Sequence, residues 1–174
     1  PNVPRGGPLE AQVRRDLAGY YAMIENWDHN IGRLRAALDQ AGIAFRTHLM
    51  VFSDHGDMHG SHGMLRKMTP HEESIRIPMI VGGEQQVYDG RVTGRPNVPF
   101  NHVDIAPTTL GLCGIAPPSW MRGVDYSGYR LASRKRPRVE PDSAFLQSVV
   151  PTGHNHSVNK PWRGLLTRDG WKYT

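Results

Sequence analysis

A chain of 174 residues can bury one sizeable core, and 38% hydrophobic with 21% charged residues excludes a disordered polymer. No apolar run approaches the roughly 20 residues a membrane span needs. The single cysteine, Cys113, excludes an intrachain disulfide, while the net charge of +5 suits an anionic substrate or a nucleic acid equally well.

Residues 1–8 are rich in Pro and Gly and read as an extended lead-in. The chain opens on Pro1 rather than Met, so its true beginning is open. No cationic start followed by an apolar segment marks a signal peptide. From Leu9 to Ala41 the apolar residues Leu9, Val13, Leu17, Tyr20, Ile24, Trp27, Ile31, Leu34 and Leu38 recur at alternating spacings of three and four. That spacing predicts one long helix with a core-facing stripe, ended at Gly42 and open to a bend near Gly19. A coiled coil is disfavoured, because Tyr20, Tyr21 and Trp27 are bulky for a regular seam.

Ala44 to Phe52 reads as a buried strand, and Ile75 to Val81 as a second, limited by Pro78 to an edge or bulge. Residues 82–99 are polar and turn-rich. Val103 to Gly114 reads as a helix stopped at Gly114, with Asp104 at its positive end and Cys113 a small buried hydrophobe. Residues 119–141 read as loop and include the basic run Arg134-Lys135-Arg136-Pro137-Arg138, taken as a solvated surface. Asp142 to Val150 is strand-like. His154 and His156 fall in a polar loop.

The chemistry concentrates in the loop after the first strand. Asp54 offers a hard oxygen and His55 a nitrogen, both able to hold a divalent metal. Gly56, Gly60 and Gly63 allow tight bends and close approach to an anion. Lys67 supplies a compact positive charge suited to a tetrahedral oxyanion.

The run Ser53-Asp54-His55-Gly56-Asp57-Met58, the turn Gly60-Ser61-His62-Gly63, Lys67, and then Pro70-His71-Glu72-Glu73-Ser74-Ile75-Arg76-Ile77-Pro78 resemble the second metal-and-substrate segment of the sulfatase family. The helix at Asp104-Ile105-Ala106-Pro107-Thr108 and the closing strand pair at 163–173 resemble further pieces of the same family, so the likeness covers most of residues 15–125 and 140–174. It implies an alkaline-phosphatase-like α/β fold. That fold is a layered sandwich whose largely parallel or mixed sheet is flanked by helices, present here as a fragment. Residues 1–130 would be the C-terminal portion of the catalytic domain and 131–174 a loop and the start of the C-terminal subdomain.

The resemblance further implies that Asp54 and His55 are half of a divalent-metal cage, usually calcium, with manganese or magnesium as alternatives. Lys67 would touch the sulfate oxygens. His62 would either protonate the leaving alkoxide or bond to the loop backbone, whereas His59 suits the structural role. Glu72, Glu73 and Arg76 would form a supporting carboxylate–arginine pair. The family nucleophile is a Cys or Ser in Cys/Ser-x-Pro-x-Arg, oxidised to formylglycine. Cys113 is followed by Gly-Ile-Ala-Pro and no serine stands in that pattern, so formylglycine and the remaining metal ligands are expected in an upstream part.

The reading is therefore a metal-dependent sulfuric ester hydrolase acting on a sulfated small molecule or glycan, expected to turn over little on its own. A periplasmic or secreted location follows from the family only. Alternatives are a phosphonate monoester or phosphodiester hydrolase of the same superfamily, or a non-catalytic basic module working through residues 134–138. Nucleic-acid binding is disfavoured for lack of an aromatic platform.

Overall fold

A computed structural model describes residues 6–83, 96–149 and 161–174. His154, His156 and most of the turn-rich 82–99 stretch lie outside the described residues. The chain divides into two compact units. One comprises residues 1–44, 52–79 and 148–162, the other residues 45–51, 80–147 and 163–174.

The first unit opens with α1, Pro8–Gln40, a continuous helix begun by Pro at its first turn. It ends as its glycine predicts. Gly42 takes a left-handed φ of 66°, its N–H bonding Asp39 O at 2.9 Å while Ile43 N–H reaches back to Leu38 O at 3.1 Å. The expected burial of its stripe is not observed: no residue of α1 is buried. Val13, Leu17, Tyr20, Ile31 and Leu38 are half-covered, whereas Leu9, Ile24, Trp27 and Leu34 are exposed. A helix of this length runs roughly 50 Å. Among the described residues of this unit few are buried, Met58, Thr69 and Ser74 among them, too little to cover such a face.

Strand β1, His48–Phe52, is shorter than the apolar run, because Ala44–Arg46 forms a single 3₁₀ turn. The predicted second strand is displaced too. Glu72–Ile75 is one helical turn, α2, and β2 begins at Met79, just past Pro78. Proline supplies no ladder donor and restricts the residue before it, so pairing starts after it.

In the second unit β1 pairs with β2. Met50 and Val81 from these strands pack against the buried pair Leu112 and Leu131. Helix α3, Ile105–Leu112, is preceded by a 3₁₀ turn at His102–Asp104. Asn101 and Asp104 cap that 3₁₀ turn reciprocally: Asn101 Oδ1 accepts His102 N–H and Asp104 Oδ2 accepts Asn101 N–H, both at 2.8 Å. Asp104 is buried, and its Oδ1 also accepts the N–H of Val124 at 2.7 Å. The helix buries Pro107, Thr108, Gly111 and Leu112. Cys113, expected inside, is exposed. At 3.6 residues per turn the position after Leu112 rotates off the covered face.

Strands β3, Ser143–Ser148, β4, Trp162–Thr167, and β5, Lys172–Tyr173, form a second sheet in the order β3-β4-β5. The expected closing hairpin is present, antiparallel, with Leu165 opposite Tyr173 and Leu166 opposite Lys172. The architecture is thus mixed α/β with two small sheets among the described residues. None of its described helices is long and apolar enough to cross a membrane.

Candidate functional site

The loop following β1 is pinned at its start by the residues that carry its chemistry. Ser53 Oγ donates to His55 O at 2.6 Å, and His55 N–H donates to Asp54 Oδ1 at 3.0 Å. The His55 ring is oriented by its own chain: Nδ1 lies 2.8 Å from Gly56 O. A carbonyl oxygen can only accept, so Nδ1–H is the donor in this bond and Nε2 is the ring nitrogen turned towards Asp54. That Nε2 lies 3.4 Å from Asp54 Oδ2. Two donors so spaced can share one ion at coordination distances of about 2.1–2.5 Å. The Asp54 side chain is 85% exposed, open to an incoming ligand. His55 holds the Asp54 carboxyl below the usual carboxylate range, and the Lys67 ammonium adds to this more weakly.

His62 is brought to a different partner. Its Nε2 lies 3.7 Å from Glu73 Oε1, and its ring centroid is 4.2 Å from that of His71. Glu73 is held below the ordinary glutamate range, first by its own backbone N–H, then by the Ser61 hydroxyl and by His62 and His71. Glu73 thus serves His62 and Ser61. Of the expected carboxylate–arginine pair, Arg76 Nη1 stands 3.9 Å from Glu72 Oε2, with both side chains exposed. One helical turn at 72–75 points the two glutamates in different directions, so they remain unsuited to act as a catalytic carboxylate pair.

His59 is tied down. Its N–H donates to Asp57 Oδ1 at 3.0 Å, and its ring lies 4.4 Å from that of Tyr20 on α1. The loop returns on itself through Met58 N–H to Arg66 O at 2.7 Å and Gly60 N–H to Met64 O at 2.8 Å. Sequence reading gives no sign that His59, His62, Arg66 and Met68 all hold positive φ, at 43°, 55°, 68° and 74°. Left-handed backbone costs a non-glycine residue on the order of 1 kcal/mol or more, and such strain concentrates at functional loops. Nor does it reveal that Trp162, 94 residues downstream, donates its indole N–H to Met68 O at 2.9 Å. No local pattern reports a contact of that range.

Two protein donors do not complete a cage. Among the described residues no group of three or more His, Cys, Asp or Glu side chains is placed to hold a metal ion.

The mixed α/β fold is of the alkaline-phosphatase-like class, as in the sulfatase structures it resembles. The model of the Sulfatase family matches residues 3–115, and the chain belongs to that family. The ulvan-active sulfatase of Formosa agariphila is 33% identical over 171 residues, 97% of this chain and 32% of that protein. Among solved structures, yidJ from Bacteroides fragilis, a sulfatase candidate, superposes with a TM-score of 0.72 at 28% identity, over 97% of this chain and 35% of that one. BT4656 in complex with its substrate D-glucosamine-2-N,6-O-disulfate gives a TM-score of 0.65 at 28% identity, over 81% of this chain and 28% of that one. The chain spans about a third of the length of the curated relatives it matches.

Proposed function

We propose that this chain contributes metal-binding and substrate-binding groups to a sulfuric ester hydrolase acting on sulfated glycans. The observation that carries this is the His55 arrangement: Nδ1 engaged by Gly56 O and Nε2 turned towards Asp54 Oδ2. Asp54 and His55 would hold a divalent cation, calcium, with manganese or magnesium as alternatives. When bound, that ion withdraws charge from the ester oxygens.

Lys67 binds the sulfate oxygens, where a point charge stabilises the extra negative charge that develops as the ester bond breaks. His62, half-exposed and oriented by Glu73, is the group in this loop suited to give a proton to the departing alkoxide. Residues 1–130 belong to the catalytic domain in this reading, and 131–174 to a loop and the start of a C-terminal subdomain. No residue here stands in Cys/Ser-x-Pro-x-Arg, so the polypeptide alone is expected to turn over little ester. The glycan preference draws on the ulvan-active relative and on the disulfated glucosamine bound by a structural neighbour.

The test is calorimetric titration with Ca2+ and Mn2+. Asp54→Asn and His55→Ala each weaken the ion at least tenfold. Lys67→Ala keeps the ion but loses ion-dependent retention of an aryl sulfate. Metal affinity unmoved by Asp54→Asn would remove the reading. The nitrogen ligand also suits a phosphonate monoester or phosphodiester hydrolase. Preference for an aryl phosphonate monoester over an aryl sulfate would select that alternative.

A further inference from the structure

The basic run at 134–138, all within the second unit, divides into two sets of cations. Arg134 is spent internally: its Nη2 lies 3.3 Å from Asp125 Oδ2 and 3.1 Å from Ile115 O, and its Nε 3.5 Å from Ser127 Oγ. Lys135, Arg136 and Arg138 are exposed. The backbone beneath them is seated firmly, since a β-carbon on Gly128 would lie 2.2 Å from Lys135 O. The Arg136 guanidinium rests over the Tyr129 ring, 4.6 Å from its centroid. Tyr129 in turn donates its hydroxyl to Glu140 Oε1 at 2.5 Å, and Glu140 Oε2 meets Arg168 Nη2 at 3.3 Å. The Glu140 carboxylate is thus already engaged by a phenol and an arginine.

We propose that Lys135, Arg136 and Arg138 form a docking surface for the sulfate groups of a polymeric glycan. Three residue steps span at most about 11 Å of chain. That is close to the screening length of roughly 8–10 Å at ordinary salt, so the three charges act on a polyanion together. Guanidinium forks match the paired oxygens of a sulfate as they do those of a phosphate. Arg134 holds the loop's shape, which lowers the ordering penalty on binding. A nucleic acid would want an open aromatic face for its bases. The ring that touches this run, Tyr129, has Arg136 across it. The choice of sulfate as the anion rests on the sulfatase reading above.

The experiment measures binding of the full chain to heparin, to single-stranded DNA and to neutral dextran across a salt series. Heparin binds, dextran does not, and DNA binds more weakly than heparin. The triple variant Lys135→Ser/Arg136→Ser/Arg138→Ser weakens heparin at least about tenfold near 0.1 M salt and lowers the log–log salt slope by about two to three. Removing three cations from exposed positions of α1 instead, Arg15→Ser/Arg33→Ser/Arg35→Ser, leaves heparin binding within about twofold. Equal losses in the two triples, tighter binding to DNA, or no heparin binding near 0.05 M salt would each overturn the proposal. The triple variant keeps the parent's divalent-ion affinity while losing heparin, so failure of the metal reading and failure of this one give different results.

Discussion

The Cα of Gly56 lies against the backbone carbonyl of Glu73, so close that a β-carbon on it would sit 1.9 Å from the oxygen. The same glycine donates its N–H to Ser74 O at 2.9 Å. The segment that carries Asp54 and His55 is thereby docked, backbone to backbone, on the one-turn helix whose Glu73 side chain faces His62. The glycine expected to let the chain approach an anion is used to approach its own chain.

Gly56→Ala is therefore expected to destabilise the protein by about 1–3 kcal/mol, since backbone rather than a flexible side chain must yield. It should also weaken the divalent ion, because Gly56 O orients the His55 ring. Denaturant midpoints and a metal titration read the two effects. An alanine variant as stable as the parent would show that the contact is relaxed in solution.

How much of this was legible beforehand follows from the range of the interactions. Helices α1 and α3 and their glycine ends are set by neighbours three or four residues apart, and the sequence carries those signals at Gly42 and Gly114. The adjacency of Asp54 and His55 is likewise carried by the sequence itself. The tautomer of His55, the pairing of His62 with Glu73 and the left-handed backbone at His59, His62, Arg66 and Met68 depend on contacts across the folded loop, which no periodicity encodes. The α1 stripe predicts burial by its spacing, yet spacing does not say how much partner surface the chain supplies.

That uncovered helix gives a second prediction. A β-carbon on Gly32 meets nothing within 4 Å. Gly32→Ala should stabilise the protein by about 0.5–1 kcal/mol, through the lower entropy of its unfolded chain and better helix propensity. Thermal unfolding at fixed concentration measures this. A loss of stability there would mean the position is packed against something in solution.

Trp162 tests the long-range tether. Trp162→Phe keeps an aromatic ring but deletes the N–H donated to Met68 O, leaving the carbonyl of a residue with φ of 74° without that partner. The expected loss is about 1–2 kcal/mol from the hydrogen bond, with some packing added. Hydrogen exchange should quicken in residues 57–69 more than in α3. Uniform quickening would mean that the indole serves the fold at large rather than this loop.

His48, at the start of β1, gives the pH dependence. Burial is the main reason its imidazole is held below the ordinary histidine value of 6.5; Arg130 pushes the same way, and a bond to the Leu112 backbone opposes them. A base with a depressed folded pKa takes up its proton more readily unfolded, so stability rises with pH in this window. The contribution is fully present above about 6.5 and is lost as pH falls through the lower folded value. One proton bounds the slope at about 1.4 kcal/mol per pH unit. Carboxylates such as Glu73, also depressed, act lower, as pH falls below about 4.5. Urea midpoints at pH 7.5, 6.0 and 5.0 should therefore fall with acid in the parent. His48→Gln can still donate to a carbonyl but does not titrate, and its midpoints should be flatter over that range. Identical slopes in the two proteins would locate the acid sensitivity elsewhere.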